Sequence, residues 1–504
     1  MANWTVTVTR YQDFVSMVRR YDRDATLIAL STFLGGWAGN LYDANGKILS
    51  VLPWNVAGLA TTLIGRGTSG GKKPSRRDID KLTYMYFNLA HPVEESDPQA
   101  ALKLITRFVY QQWPFTRQSG ADWARPVSML VDTLFPPGYE PEVMKDGWEK
   151  KLLGTDVGTF VSVGFMLNAM SLGDYMAGYP FQWEETSLAY LKRIGGEAEF
   201  DAVFRNNFVA TFDEIRAARL TAVISTASTD GARFLREPFA YNPLFTTPFV
   251  EGIVPGVAIA PCAPAIAIRA STIGIIYAGL QRWGVAFTHD VGKLFEAYVG
   301  RQLTSRTEWT VLSEICYGRD DSLSVDWFVI TDRYVVLIEC KSALPTAAVR
   351  EGSDRIIAAH VDKLDKSVRQ LNRSRNAILA GVPEFRSVPR DLPLVGLSVT
   401  LGNFEMANQP DIRSAMTAAD FPVAMVGVDF LEWFVTLSDE ELNRTLSEAL
   451  SASKDGVFDP GSLGNGMKVG RNILLAKAFD AIPVHSLLIA NGHVIGAEGS
   501  NDGE

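Results

Sequence analysis

The chain has 504 residues, of which 47% are hydrophobic and 21% charged. That is too long for one ordinary core and predicts two or three domains with ample apolar surface to bury. A net charge of −9 excludes a generally basic nucleic-acid coat but leaves room for a local basic groove. Three scattered cysteines (Cys262, Cys316, Cys340) and dispersed histidines exclude a disulfide framework and a His/Cys metal cluster, so a cytoplasmic location is expected.

The N-terminus "MANWTVTVTRYQDF" has no apolar signal core. The apolar stretches 48–64 and 256–280 are interrupted by Pro53 and Asn55, and by Pro261, Pro264 and Arg269. Neither makes a clean run of about 20 apolar residues, so no membrane partner is expected.

Residues 1–230 read as a predominantly helical region with no assignable role. "SRRDIDKLTYMYFNLA" (75–90) has helical apolar spacing, and "DPQAALKLITRFVYQQW" (97–113) opens on an Asp-Pro start signal. "FDAVFRNNFVATFDEIRAARL" (200–220) reads as one further amphipathic stretch. The aromatics Tyr84, Tyr86, Phe87, Phe108, Tyr110 and Trp113 are expected in the core. Gly65, Gly67 and Gly70 spell a G-x-G-x-x-G. No βαβ context surrounds it, so "GRGTSGGKKPSRRD" (65–78) reads as a flexible basic loop.

Residues 231–284 form a proline-rich connector, expected as irregular strands and turns rather than helix. From 285 the order of elements is legible. A helix (about 290–304) is followed by a strand (308–315), a hairpin (323–330 and 334–341), a long polar helix (354–380), strands at 392–401 and 421–428, and a helix at 437–450. Ser438 and Glu441 have capping-box spacing at the start of that last helix. This αβββαβ order predicts a mixed sheet covered by helices over 285–452. A C-terminal extension, 453–504, is expected to add a short hairpin near its end.

The hairpin "VDWFVITDRYVVLIECKSA" (325–343) carries the chemistry. With its turn at Thr331–Arg333, Asp326 falls across from Ile338 or Glu339, and Glu339 shares a face with Lys341. Burying these charges in so apolar a strand is costly without a cation, a ligand or mutual pairing. Two carboxylates with the Cys340 carbonyl between them make a hard oxygen site suited to Mg²⁺, with Mn²⁺ expected to substitute. Lys341 would orient a water or offset phosphate charge. Glu296, one turn after Gly292, is placed to reach the same site. Glu314 is a further candidate acid, expected as an exposed strand residue. The helix after the hairpin offers Lys363, Lys366, Arg369 and Gln370. Residues 341–375 hold eight Lys/Arg against four Asp/Glu, the local excess that a phosphate-backbone groove needs.

Gly292-x-x-x-Glu296 followed by Asp326-x12-Glu339-x-Lys341 in this element order resembles the PD-(D/E)XK, or restriction-endonuclease-like, nuclease superfamily. The stretch is similar to the superfamily's nuclease-related domains over about 285–430. The resemblance implies a Mg²⁺-dependent phosphodiesterase, with DNA the expected substrate. Asp326 and Glu339 would bind metal, Lys341 would be the catalytic lysine, Glu296 the helical acid, and Gln370 the polar residue of the next helix. Val325 stands where the motif has Pro. A DNA endonuclease in bacterial defence or repair, acting as a homo-oligomer or with an activating protein partner, is the leading expectation. The alternative is a catalytically silent nuclease-fold protein that binds nucleic acid or a protein.

Overall fold

The computed structural model describes residues 8–34, 52–90, 99–115, 119–171, 178–225, 229–345, 349, 355–452, 470–490 and 492. The protein is a mixed α and β chain in two compact units: Met1–Pro126, Gly147–Arg282 and Ala481–His493 in one, Val127–Asp146, Trp283–Asp480 and Val494–Glu504 in the other. The proline-rich segment therefore belongs with the helical region, and residues 127–146 belong with the C-terminal region.

In the first unit, helices Tyr11–Val18, Arg23–Ser31 and Arg76–Phe87 bury one face each, around Pro53–Arg66, which is buried on all sides from Pro53 to Ile64. Gly58 makes their packing possible, because a Cβ there would lie 1.9 Å from the Tyr86 ring. Tyr86 in turn donates to Pro238 O at 2.8 Å. The amphipathic stretch 200–220 is two helices, Glu197–Asn207 and Phe212–Ile224, separated by the strand Val209–Thr211. Two facts break it, one local and one distant. Thr211 and Glu214 form a capping box, and Val209–Thr211 pairs in parallel with Phe249–Glu251. The connector contains the expected strands, Phe249–Val254 and Val257–Ile259, but also helices Asp230–Arg236 and Ala265–Ala270, contrary to the sequence expectation. The expected hairpin near the C-terminus is instead a helix, His485–Ala490, although residues 493–504 lie outside the described set. Asp97, the expected start of the helix observed at Ala100–Gln112, also lies outside it.

Among the described residues one helical stretch, Trp148–Ser171, is long and apolar enough by composition to cross a membrane, and 72% of its apolar 18-residue window is buried in the protein. Its helix is interrupted at Gly154, which adopts φ 79°. The unbroken part, Val157–Ser171, has 15 residues, short of the roughly 20 that a bilayer core requires.

In the second unit, α1 (Val285–Thr304) precedes β1 (Thr310–Ser313), β2 (Trp327–Ile330) and β3 (Val335–Lys341). Then come α2 (Ile356–Leu379), β4 (Leu394–Thr400), β5 (Val423–Gly427), α3 (Val428–Phe434) and α4 (Asp439–Ala452). The five strands lie in the order β5-β4-β3-β2-β1, parallel from β5 to β3 and antiparallel from β3 to β1. Central strands β3 and β4 are buried almost throughout, as their continuous Val and Leu runs require. Ser438 and Glu441 form the expected box, with Ser438 N–H donating to Glu441 at 3.0 Å and Glu441 N–H to Ser438 at 3.3 Å.

Two polar devices hold this unit. Tyr298 donates to Glu432 at 2.6 Å, Gln302 to Tyr298 at 2.8 Å and Asn472 to Gln302 at 2.8 Å, a buried chain that ties α1 to α3. Asp290, fully buried near the start of α1, accepts from the backbone N–H groups of Glu142, Val143 and Met144 and from the Tyr139 hydroxyl, each at 2.8 Å. That carboxylate anchors residues 139–144 to α1.

Candidate active site at the open end of the hairpin

The β2–β3 register pairs Trp327 with Ile338, so the next position sets Asp326 opposite Glu339. Here the ladder between β1 and β2 slips. Ser313 pairs with Trp327, whereas Ser324 N–H donates to Ile315 O at 3.0 Å, so Glu314 alone faces both Val325 and Asp326. Such a bulge bends a strand and re-aims its side chains. The Asp326 carboxylate consequently takes a ladder position itself, accepting from Cys340 N–H at 2.6 Å. On the other side of β3, Lys341 O accepts from Leu401 N–H at 3.0 Å, so alternation turns the Cys340 N–H and C=O toward β2.

Helix α2 secures the bulge. Ser374 Oγ accepts from Val325 N–H at 2.9 Å, and Gln370 Nε2 donates to Ser324 O at 2.5 Å. Where the nuclease motif has Pro, this chain uses the N–H that only a non-proline residue supplies. Gln370 is buried and its amide nitrogen is engaged with backbone.

Glu339 is 1% exposed. Its Oε1 accepts from Lys341 Nζ at 2.5 Å, and its Oε2 is buried with no hydrogen-bond partner. On α1, Glu296 Oε2 accepts from Lys293 Nζ at 2.8 Å. The α1 backbone is brought to the hairpin by Trp327, whose indole N–H donates to Glu296 O at 3.1 Å. Gly300 leaves room for that indole, since a Cβ there would stand 2.1 Å from it.

Burial pushes the Glu339 carboxyl up to about 8, with the nearby Asp326 charge adding to it and Lys341 opposing. Burial likewise pushes Asp326 up to about 6, against the Cys340 N–H, with Glu296 raising it further. Glu314 is raised by burial and then by Asp326 and Glu296, so this half-buried acid belongs to the same cluster rather than to the solvent-exposed strand end expected. The Glu296 hydrogen bond holds Lys293 above its ordinary value. Burial raises the Cys340 thiol well above the ordinary range.

The structure thus brings together Glu296, Asp326, Glu339, Cys340 and Lys341 with the further candidate acid Glu314, and adds Lys293. The sequence signal for Lys293 was an i, i+3 Lys–Glu pair. Lys363, Lys366 and Arg369 lie exposed on α2; Lys363 and Lys366 stand seven and four residues before Gln370, on its side of the helix, whereas Arg369 is turned away and pairs with Asp365 at 3.1 Å. None of the three pairs with Asp326 or Glu339. Among the described residues no group of three or more His, Cys, Asp and Glu side chains is arranged to hold a metal ion; two of the four acids stand in ion pairs, Glu339–Lys341 and Glu296–Lys293.

One oxygen of this set would suit a hard divalent cation. A buried carboxylate oxygen without a partner is costly and is what such an ion would satisfy. Comparison of the chain with protein-family models, with curated proteins and with solved structures finds no match.

Proposed function

We propose that the C-terminal unit is a metal-dependent nuclease of the restriction-endonuclease-like kind, hydrolysing phosphodiester bonds in nucleic acid, with DNA the expected substrate. The observation that carries this reading is the unpartnered, buried Glu339 Oε2 beside Asp326 and Lys341. Formal charge supports it: four acids (Glu296, Glu314, Asp326, Glu339) against two lysines leave two negative charges, the complement of one divalent ion. Asp326, Glu339 and the Cys340 carbonyl would hold Mg²⁺ or Mn²⁺. Bound there, the ion would polarise a phosphate oxygen and lower the pKa of a coordinated water. Asp326 spends one oxygen on Cys340 N–H and keeps the other for the ion. With Glu339 engaged by such an ion, the Lys341 ammonium would be available to orient the attacking water or to sit against the phosphate. Exposed Lys363, Lys366 and Arg369 supply cations for the backbone of the polymer.

A second reading has its own support. The two ion pairs balance two of the acids internally, which suits a silent nuclease fold that binds nucleic acid or a protein partner. Cleavage of plasmid and of linear single- and double-stranded DNA with Mg²⁺, Mn²⁺ or EDTA, by wild type and Lys341→Ala, separates the two. Metal-dependent cleavage lost in the variant is expected. No cleavage together with no metal binding would refute the catalytic reading.

A further inference from the structure

The helical unit carries a basic surface that its own stability does not explain. Two parallel bridges, Tyr21 with Lys72 and Asp22 with Thr68, lay residues 20–23 along 68–72. Lys72 N–H donates to Arg20 O at 3.0 Å, and Asp22 N–H to Lys72 O at 2.9 Å. The approach is so close that a Cβ at Gly71 would lie 2.5 Å from Tyr21 C. The glycine-rich loop is therefore a pinned strap that sets Arg19 and Arg20 beside Lys72, Lys73 and the helix Arg76–Phe87.

Two acids of this region are used internally, while a third, the half-buried Asp80, sits on the helix between Arg77 and Lys81 with no ion-pair partner among the described residues. Asp22 accepts from the N–H groups of Ala25 and Gly70, and Asp78 from Ser75 and the Tyr21 hydroxyl, with Lys72 at 3.3 Å. Exposed Arg20, Lys73, Arg77 and Lys81 have no ion-pair partner among the described residues. Arginines in the first turn of a helix oppose its dipole, so Arg76 and Arg77 weaken the helix they begin. Along that helix Arg77, Lys81 and Tyr84, spaced i, i+4 and i+7, share one face. Ile79, Leu82 and Tyr86 are buried on the other. Tyr84 is 50% exposed and Phe87 is 37% exposed, against the expectation that both belong to the core.

We propose that this face, cations of the pinned strap and helix beside the open Tyr84 ring, binds single-stranded nucleic acid, phosphates on Arg20, Lys73, Arg77 and Lys81 and a base stacked on Tyr84. A positive track with an aromatic platform is the recognition chemistry of single strands. The choice of nucleic acid over an anionic lipid surface rests on the nuclease reading of the other unit.

The test is fluorescence anisotropy of a labelled oligothymidylate with full-length protein in EDTA, so that nothing is cleaved. Arg77→Glu with Lys81→Glu should weaken binding at least about tenfold and flatten the salt dependence by more than about one log per log. Tyr84→Ala should weaken it about tenfold with the salt dependence unchanged. If the charge reversal misfolds, judged by circular dichroism, Arg77→Gln with Lys81→Gln reads the same quantities. Unchanged affinity in these variants would overturn the inference. Binding to phosphatidylserine vesicles but not to the oligonucleotide, with the same dependence on Arg77 and Lys81, would overturn it in favour of a membrane surface. Plasmid cleavage is scored separately: metal-dependent cleavage with unaltered oligonucleotide binding sinks this inference alone. Variant-sensitive binding with neither cleavage nor metal binding sinks the nuclease reading alone.

Discussion

Replacing Glu339 by Gln should stabilise the metal-free protein while abolishing its response to metal. Glu339 is almost fully buried, and one of its oxygens has no partner. Its carboxyl is pushed up to about 8, chiefly by burial. An acid raised in the folded state costs nothing below about pH 4, where both states are protonated, and costs more as pH rises toward the folded value. Near pH 7 that cost is about 3–4 kcal/mol against folding. Glutamine removes it but cannot ionise to pair with Lys341 and brings an amide to satisfy, a loss of roughly 1–3 kcal/mol. The net gain, about 0–3 kcal/mol, should raise the midpoint of thermal unfolding by up to roughly 12 °C in EDTA. By calorimetry the gain should shrink near pH 5. Manganese at about a hundred times its dissociation constant should stabilise wild type by about 2.7 kcal/mol and leave Glu339→Gln unmoved. A variant less stable than wild type in EDTA at neutral pH would refute the argument that Glu339 is held at a cost. Equal stabilisation of both proteins by manganese would refute its role as a ligand.

Asp290→Asn should destabilise the C-terminal unit by about 2–3 kcal/mol, because a neutral amide cannot replace a carboxylate that accepts four hydrogen bonds. Burial alone would raise the Asp290 carboxyl, but those donors outweigh it and hold it below the ordinary value. Its contribution is present above about pH 4 and is lost as pH falls through the folded value, so urea melts of the two proteins should converge in acid. Gly300→Ala should cost about 1–3 kcal/mol although alanine favours helix by about 1 kcal/mol, because the methyl meets the Trp327 indole. The penalty should vanish in a Trp327→Leu background, measured as a double-mutant cycle.

The elements of the C-terminal unit were legible because each announces itself locally. The runs "YVVLI" and "LVGLSVT" are strands in any context that buries them, Ser438 and Glu441 cap a helix with their own side chains, and a turn at Thr331–Arg333 sets the hairpin. Asp326, Glu339 and Lys341 were legible as a group for the same reason, since two short strands joined by a tight turn leave one register to choose. Glu314 was read as exposed because a strand's end gives no sign of which neighbour it meets. Tyr84 and Phe87 were assigned to the core because helical spacing shows that a face exists but not that the neighbouring helices leave part of it open. The stretch 200–220 was read as one helix because its break depends on a strand some forty residues later.

By itself the sequence determined the order of helices and strands from residue 285 onward, the hairpin, and the convergence of an acid, an acid and a lysine at its open end. These are local matters, settled by periodicity, β-branched runs and side-chain caps acting over a few residues. Only the tertiary structure decided that residues 127–146 join that unit through Asp290, and that a bulge turns Asp326 onto Cys340 N–H. It also decided that Glu339 keeps one oxygen unpaired and that Arg77, Lys81 and Tyr84 share an open face. Each of these depends on which distant segment removes water from a given side chain, and burial of that kind is a property of the packed chain rather than of any window within it.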